Sequence, residues 1–520
     1  MEHGANKPPK QGISWLKKAL IAVIILIVVA IIWLYWFITT RDNREHSRVV
    51  YMNQCANCHS ENLKGTPRGS NLLAVPLRYG DSTASLMQSI SSDLEAHDEV
   101  TGLNSSSHST VKALAFYISE HRQEFPSIAD SYQHAFIQQS VNSKYHRFRV
   151  EKYSDLASRP YSIAPFPDGR IIVAEKVRGL SIVGREGRQG DLIEGAPPAY
   201  EQFLTVQGSQ VGWGQLLEVS LHPDFSNNGW VYVSYADRCQ LDCGSAVPQS
   251  MVKVVRGRIQ DRQWVNEQVI WSVHQDYYTI VPDGVAGGRL GFDKAGYLYI
   301  TVGGKAAYKH LHNMDTPYGK IHRVEDDGSV PEDNPFWLSA DKREVSSTRH
   351  TVWSYGHRTT QGLEGHPVTG EIWSSEMGPR GGDEVNKIVS GGNYGWPLYT
   401  YGLDYDATEV SIGRDLGLDF PIEDTILPVV DFTPAPALSN LTFHNGDRFP
   451  GWKNDILIGS LKAQTLYRLR IEDGQLLEQE KLVTKLGRIR DVEMGADGVV
   501  YVALEHGDTG SIVRLVPEDQ

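Results

Sequence analysis

Short runs of alternating hydrophobic residues, each behind a polar turn, recur through the C-terminal part of the chain. Each run follows a turn of Gly, Asn or Asp and then repeats with a period of two, as expected for a strand that starts behind a tight turn. Six such units lie far enough apart for each to belong to its own sheet, which predicts a six-bladed β-propeller over 148–520. A pair of β-sandwiches is the alternative. The units are PDGRIIVAE, NNGWVYVSY, KAGYLYITV, VTGEIWSSE, WKNDILIGS and ADGVVYVAL.

Residues 45–125 have a different pattern, in which apolar residues recur every three or four positions. This spacing is typical of helices packed around a small core. We therefore expect a small all-α domain here, joined to the propeller by a linker at 126–147. The residues that set the spacing are Leu86, Met87, Ile90, Leu94, Val111, Leu114, Ala115 and Ile118.

The segment Ala19–Ile38 contains no charged residue, and its length of about 20 residues matches the hydrocarbon core of a bilayer. Trp33, Tyr35 and Trp36 lie where an interfacial aromatic belt is expected. A cleaved signal peptide would be shorter and followed by small residues, whereas TTRDNRE follows here. The sequence predicts an uncleaved transmembrane anchor at 19–38, preceded by a cytoplasmic tail at 1–18.

Composition and charge narrow the possible partners. The net charge of −13 argues against nucleic acid, because surfaces that bind phosphate backbones are basic. We interpret the acidic balance as a solvated surface. The 49 glycines, 24 tyrosines and 12 tryptophans agree with β structure that has short connections.

The motif CANCH carries the most specific chemistry in the helical region. Cys55 and Cys58 have the spacing at which two thiols bind the vinyl groups of a haem, and His59 follows as an iron ligand. Half of a zinc site is the alternative, but it would need a second ligand pair. The stretch CANCHSENLKGTPRGSNL with a terminal helix resembles class I cytochromes c. The resemblance implies a c-type haem that transfers single electrons.

The sequence offers more than one candidate for the sixth ligand of that haem. The resemblance implies a methionine shortly before the last helix, but His97 stands at the comparable place. A second histidine would lower the reduction potential relative to His/Met ligation. We expect haem iron to be held by His59 and His97, with Met87 and His108 as alternatives and a surface role for His97 as the simplest competing interpretation.

Haem attachment of this kind occurs outside the bacterial inner membrane, so both large domains are expected in the periplasm on a single-pass anchor. Cys239 and Cys243, in RCQLDCGS, are then expected to form a local disulfide. The expected electron acceptor is a respiratory partner in the same membrane.

Several motifs of the β region resemble the glucose/sorbosone dehydrogenase family, especially its aldose sugar dehydrogenase branch. They are LHPDFSNNGWVYVSY, AGGRLGFDKAGYLYI, SYGHRTTQGLEGHP, SSEMGPRGGDEVN, GGNYGWPL, IGSLKAQTLYRL and GRIRDVEMGADGVVYVA. The resemblance runs through nearly all of 148–518. It implies a six-bladed propeller that binds pyrroloquinoline quinone (PQQ) and calcium and oxidises sugars.

The resemblance also implies which residues bind PQQ, a planar tricarboxylate. Arg488 and Arg490 match the pair that binds its carboxylates, and two positions apart on a strand they share a face. Lys462 matches another pocket cation. Arg358 matches the arginine beside the quinone oxygens, where it would stabilise developing negative charge and act as a catalytic residue. Gln361 matches a neighbouring polar contact.

The loop SEMGPRGGDE matches the family's calcium loop. Calcium prefers oxygen ligands, which the backbone carbonyls of Gly378 and Pro379 can supply. Glu376 and Asp383 lie at family positions near cofactor and metal. In the alternative interpretation, Asp383 only holds its glycine-rich turn.

The chain departs from the family at the catalytic base. The family's histidine, two residues before GGR, is replaced by Val285, which cannot accept a proton. Asp283 and His274 are possible substitutes, and each has a plain loop role as its alternative; Arg289 can be purely structural. Other differences from the family are Thr359 and Thr360 after the arginine, Trp213 near a cofactor contact, and Gly304 and Lys305 in place of an acidic residue.

Two functions are consistent with this pattern. The first is a PQQ-dependent sugar dehydrogenase that passes electrons to its own haem. The second is a catalytically altered propeller that serves as a binding module beside an electron-transfer cytochrome. The pocket cations favour the first hypothesis, and Val285 favours the second.

Overall fold

The computed structural model describes residues 44–518 with short gaps. The gaps are 74–78, 81, 97–107, 127, 133–135, 137, 201–202, 207–208, 213–214, 240–248, 280–286, 305–306 and 338–346. The predicted tail at 1–18 and anchor Ala19–Ile38 lie outside the described residues. Among the helices that are described, none has the length and apolar character needed to cross a bilayer.

Among its described residues, the region predicted to be helical contains four helices around a common core. They are α1 (Arg44–Gln54), α2 (Ala56–His59), α3 (Thr83–Ala96) and α4 (His108–Arg122). The apolar spacing predicted this packing, because Leu86, Leu114 and Ile118 are all buried in that core. Its other buried members are Tyr51, Leu63, Ala115 and Tyr117.

In the described part of the chain, six antiparallel sheets of four or five strands form the predicted propeller. Written from the inner strand outward, blade 1 contains β3 (Pro160–Pro165), β4 (Ile171–Glu175), β5 (Gly179–Val183) and β6 (Gln189–Leu192), and blade 2 contains β9 (Leu216–Leu221), β10 (Val231–Cys239), β11 (Gln249–Gln260) and β12 (Gln263–Trp271). Blade 3 contains β13 (Gly287–Phe292), β14 (Leu298–Val302), β15 (Lys320–Val324) and β16 (Val352–Tyr355), and blade 4 contains β17 (Thr360–Gly365), β18 (Ile372–Glu376), β19 (Asp383–Ile388) and β20 (Val430–Phe432). Blade 5 contains β21 (Leu438–Phe443), β22 (Ile456–Ser460), β23 (Leu466–Glu472) and β24 (Gln475–Val483), and blade 6 contains β25 (Arg488–Met494), β26 (Val500–His506), β27 (Thr509–Pro517), β2 (Arg147–Leu156) and β1 (Gln139–Asn142).

The six predicted strand units are the second strands of the six blades, namely β4, β10, β14, β18, β22 and β26. Four of them, β4, β14, β18 and β22, are buried at every position. Blades pack face to face, so a second strand is covered on both sides and its sequence is almost continuously hydrophobic. This is why one strong strand signal marks each blade.

The N- and C-terminal ends of the propeller close the ring together in blade 6. Strand β2 pairs with β27, and β1 pairs with β2 at the outer edge. Strand β1 falls inside the predicted linker at 126–147, so part of that linker belongs to the propeller. Its sequence, QSVN, alternates between exposed and half-buried positions, which explains why no hydrophobic run marks it.

Smaller elements complete the described fold. A two-stranded sheet contains β7 (Phe203–Val206) and β8 (Ser209–Gly212). The short helices are α5 (Ile128–Ser131), α6 (Phe225–Asn228), α7 (Ser347–Thr351) and α8 (Ile412–Asp415), and 3-10 helices lie at Gln275–Tyr277, Tyr308–His310, Ile422–Asp424 and Pro450–Trp452.

Candidate functional site at the propeller mouth

Polar side chains from several blades meet at one end of the ring, which we call the mouth. Inner strands begin at this end, and the antiparallel second strands finish there. Arg488 is the first residue of β25 and lies opposite Glu505, near the end of β26. Lys176 follows the last residue of β4 in the same way. Strand ends from neighbouring blades therefore place charged side chains around one opening.

The centre of the mouth is a buried carboxylate that faces three cations. Glu505 is fully buried and accepts hydrogen bonds from Arg490 Nε at 2.8 Å and Arg488 Nε at 3.2 Å, and it also pairs with Lys176 Nζ. Burial raises the pKa of Glu505, but the charges of Arg490, Lys176 and Arg488 outweigh this and hold the pKa well below 4.5. Burial and the neighbouring Arg490 charge lower the pKa of Lys176 well below 10.5, so the excess of positive charge in the cluster rests on the two guanidinium groups, Arg488 and Arg490, that share this one carboxylate.

The predicted Gln361 joins the same cluster. Its side-chain Oε1 accepts a hydrogen bond from Arg490 Nη1 at 3.3 Å, and the side chain is buried. The ring of Tyr161 lies 5.5 Å from the Arg490 guanidinium and 5.9 Å from Lys176 Nζ. The structure therefore brings Gln361, Arg488 and Arg490 together beside an aromatic face that stabilises cations.

Arg358 lies at the mouth with one unused donor. Its Nη1 donates to the carbonyl oxygens of Met377 and Gly378 at 2.9 and 2.8 Å, and its Nη2 donates to Tyr405 Oη at 2.9 Å. Among the described residues, its Nε and the neighbouring Thr359 Oγ1 are buried without a partner. Buried polar atoms are rarely left unpaired, so these two atoms indicate room for a ligand's acceptor.

Asp383 and Glu376, predicted near calcium, both hold the backbone. Asp383 Oδ1 accepts from Gly378 N at 2.9 Å and Oδ2 accepts from Leu438 N at 2.8 Å, while burial raises its pKa to about 7. Glu376 Oε1 accepts from the backbone N–H groups of Arg358 and Thr359. These contacts favour the alternative in which Asp383 holds its turn.

The calcium loop does not form a ready cation site with these groups. Gly378 O, a predicted ligand, already accepts from the Arg358 guanidinium, which leaves Pro379 O as the predicted ligand without a recorded hydrogen bond. Within the described residues, the cluster of carboxylates close enough to share a metal lies elsewhere, at Glu218, Asp491 and Glu493. The four predicted ligands thus do not fit a calcium ion in their present arrangement.

Lys462 is paired with a residue from the helical region. Glu120 of helix α4 is 3% exposed, and its two oxygens lie 3.3 Å from Lys462 Nζ and 3.3 Å from Arg380 Nη2. No local sequence pattern indicated this contact. It shows that α4 reaches the mouth of the propeller.

Helix α4 lies between the helical core and the propeller. One face contributes Leu114 and Ile118 to the helical core. The opposite face places Ala113 and Phe116 against Leu403 and Ala407 of the propeller. Both faces of α4 are therefore buried, and a single helix separates the two cores.

The CANCH motif is arranged as a proximal haem ligand requires. Cys55 and Cys58 are free thiols, and His59 Nδ1 is 2.8 Å from Ser70 O. This hydrogen bond fixes the imidazole, and in the described part of the chain Nε2 has no recorded partner. A side chain at Gly69 would approach Cys58 O to 2.6 Å, so glycine permits the close packing of this loop.

Two of the three candidates for the sixth haem ligand, Met87 and His108, lie within the described residues. His97 lies outside the described residues. Met87 packs against the helical core, and His108 is exposed at the start of α4. Cys239 is disulfide-bonded, in agreement with the predicted local pair, and its predicted partner Cys243 lies outside the described residues.

Arg289 has the structural role that was considered for it. It is almost fully buried and contacts Glu218 at 2.6 Å and Asp491 at 3.0 Å. Its Nη2 donates to the backbone oxygen of Arg490 at 3.0 Å and so helps to hold the backbone of this mouth residue in place.

Of the two possible replacement bases, His274 is the one within the described residues. Asp283, Val285, Trp213 and Lys305 lie outside the described residues. His274 has a 75% exposed side chain beside Asp276 and caps a 3-10 turn, which is the plain loop role. Gly304 is needed for packing, because a side chain there would approach Leu311 and the backbone of His357.

Sequence reasoning missed Lys176, Glu505, Glu120 and Arg380. A signal existed for the first two, since a charged residue at the end of a hydrophobic strand, as in IIVAEK and VYVALE, marks a strand end that faces an opening. Glu120 and Arg380 had no comparable signal.

Comparison with known proteins places this geometry in a family. The family model "Glucose / Sorbosone dehydrogenase" matches residues 157–514. Aldose sugar dehydrogenase YliI of Escherichia coli is 30% identical over 372 residues, which is 71% of this chain and 93% of that protein. Quinoprotein glucose dehydrogenase B of Acinetobacter calcoaceticus is 25% identical, covering 69% and 87%. A solved glucose dehydrogenase superposes with a TM-score of 0.60 at 32% identity, covering 70% and 98%.

Proposed function

Because this chain belongs to the glucose/sorbosone dehydrogenase family, we propose that it oxidises an aldose sugar with PQQ bound at the propeller mouth and passes the electrons to its own haem. Relatives named as an aldose sugar dehydrogenase and as a quinoprotein support the sugar and the quinone. The expected anchor at 19–38 would hold the enzyme at the periplasmic face of the inner membrane, beside a respiratory acceptor.

The observation that carries the proposal is the excess of buried positive charge at the mouth. Lys176, Arg488 and Arg490 share Glu505, although unpaired buried charges are costly. A tricarboxylate supplies negative charge at such a site, and guanidinium groups bind carboxylates in a directed, bidentate way. The mouth is therefore suited to a polyanion better than to a neutral ligand.

When bound, PQQ supplies the two-electron oxidant. The chain's own residues have distinct tasks around it. Arg488, Arg490 and Lys462 would bind its carboxylates, and Gln361 would position Arg490. The buried Arg358 Nε would donate to an oxygen of the ligand, which is its missing partner. Calcium is expected only from the resemblance, and its binding would require Gly378 O to leave Arg358.

The helical domain is suited to carry a haem. Cys55 and Cys58 are available for thioether bonds, and His59 presents Nε2 with its ring fixed by Ser70 O. Bound haem supplies a one-electron carrier. Because α4 alone separates the helical core from the mouth, and a helix with its side chains is about 10 Å across, the two redox groups would be close neighbours.

A binding module without sugar oxidation is the second candidate, favoured by Val285 at the usual base position. Loss of a general base lowers rates by about 10²–10⁴-fold. The dehydrogenase therefore requires a substitute, for which Asp283 is our candidate. Asp283→Asn should abolish sugar oxidation, whereas the exposed His274→Ala should leave it unchanged.

The test uses the full chain, matured with haem and loaded with PQQ and calcium. PQQ binding is titrated by fluorescence quenching, aldoses are added, and haem reduction is followed by absorbance. Sugar-dependent reduction supports the dehydrogenase, and PQQ binding without reduction supports the binding module. Absence of PQQ binding refutes both forms of the quinone proposal. His59→Ala should remove the haem signal and leave PQQ binding intact.

A further inference from the structure

The described residues of the stretch 120–132, namely 120–126 and 128–132, which we call the mouth segment, cover the cations assigned to the quinone. At its start, the buried Glu120 carboxylate pairs with Lys462 and Arg380, each at 3.3 Å. Phe125 places its ring 5.7 Å from Lys462 Nζ. The helical region thus brings its own carboxylate to a cation that is expected to bind a ligand carboxylate.

The end of the mouth segment covers Arg488. Ser131 Oγ accepts from Arg488 Nη1 at 2.9 Å, and the Tyr132 ring lies 3.7 Å from the guanidinium carbon. The propeller holds this end firmly, since Gln464 Nε2 donates to Ser131 O at 2.8 Å and Gly507 N donates to Tyr132 O at 3.3 Å. Ser131 is 1% exposed, so these contacts exclude water.

Together these groups supply one carboxylate and one aromatic ring, two of the features that an aromatic polycarboxylate would bring to these cations. The segment offers a carboxylate to Lys462, a hydroxyl acceptor to Arg488 and a flat ring to the same guanidinium. We propose that the mouth segment is an internal competitor, which occupies the cation cluster in this state and leaves it when an aromatic polycarboxylate binds. The proposal rests on the proposed function in one respect, namely that the cluster binds such an anion.

Competition follows from shared partners. Lys462 and Arg488 cannot direct the same N–H groups at Glu120 or Ser131 and at a ligand carboxylate. Binding of one partner therefore lowers the affinity of the other by the same factor. Weakening the segment's contacts must tighten ligand binding, and ligand binding must release the segment.

Two probes test this in the full haem-loaded chain, PQQ and benzene-1,3,5-tricarboxylate. Glu120→Gln keeps the side-chain volume and removes the competing charge, and Glu120→Ala is a second variant in case glutamine keeps the contact. The matched control is Glu423→Gln, which lies exposed on a 3-10 helix outside the mouth segment. We expect Glu120→Gln to lower the dissociation constants on the order of tenfold, with no change for Glu423→Gln. In the wild type, each ligand should also accelerate amide exchange in residues 120–126 and 128–132, the described part of the mouth segment.

The outcomes separate this inference from the proposed function. PQQ binding that is equal in all variants, or that leaves amide exchange unchanged, overturns the competitor and leaves the quinone site intact. Tighter tricarboxylate binding by Glu120→Gln without any PQQ binding supports the competitor and refutes the quinone. If neither ligand binds any variant, both proposals fail.

Discussion

Replacement of Glu505 by glutamine removes the carboxylate that Lys176, Arg488 and Arg490 share. All three cations and Glu505 itself are buried, so solvent cannot replace the lost charge. Removing one partner from a buried ion pair costs about 3–5 kcal/mol. The glutamine oxygen still accepts one hydrogen bond, so we expect a loss near the lower limit, about 3 kcal/mol in the free energy of unfolding.

Urea unfolding of the full chain at neutral pH, followed by tryptophan fluorescence, measures this loss. The control is Glu423→Gln on an exposed 3-10 helix, expected within about 0.5 kcal/mol of the wild type. Because the pKa of Glu505 lies well below 4.5 in the fold, its contribution is complete above pH 4.5 and declines as the pH falls through the folded pKa. The difference between wild type and variant should therefore narrow in strong acid.

A loss below about 1 kcal/mol, the usual value for an exposed ion pair, would refute the reasoning. It would mean that water or a mobile neighbour screens the cluster. Bound PQQ adds negative charge at the same place, so it should reduce the loss in the free energy of unfolding caused by Glu505→Gln.

Three further predictions concern separate parts of the molecule. Burial raises the pKa of Glu218 to about 8 against the opposing charge of Arg289, so its stabilising effect is present below pH 4.5 and is lost as the pH rises from 4.5 to about 8; Glu218→Gln should therefore flatten the decline in melting temperature over that pH range, and equal slopes would contradict this. Phe116→Ala leaves a cavity where α4 packs on the propeller and should cost about 3–5 kcal/mol of packing free energy. We expect faster proteolysis near α4, and an unchanged rate would show that this contact does not hold α4 on the propeller. Arg490→Met should raise the dissociation constant for PQQ on the order of tenfold or more in a titration. The control is the half-exposed Arg514→Met, for which the dissociation constant should equal that of the wild type.

The fold was largely readable from local sequence. A strand such as Ile171–Glu175, covered on both faces, is hydrophobic at its first four positions and starts behind a clear turn, so a single window of sequence reveals each blade. The shared orientation of Arg488 and Arg490 was also a local property, because side chains two positions apart on a strand point to the same side. Strand β1 escaped detection because an edge strand has no such hydrophobic requirement.

The partners of the site residues were not readable in this way. Lys176 and Glu505 are separated by 329 positions, and Glu120 and Lys462 by 342. Their contact depends on ring closure and on the docking of α4, which no local pattern encodes. The resemblance to a family identified the cations, but the competing carboxylate belongs to a region outside the matched propeller.

Closure of blade 6 also sets the order of events during biosynthesis. Phe148 and Val150 leave the ribosome early, yet their strand partners Leu515 and Pro517 are the last part of the propeller to be made. Arg488 and Arg490 sit in that same final blade, so the pocket is not assembled until translation has ended. A ligand of this pocket must then be acquired by the finished polypeptide, in the compartment where it completes folding.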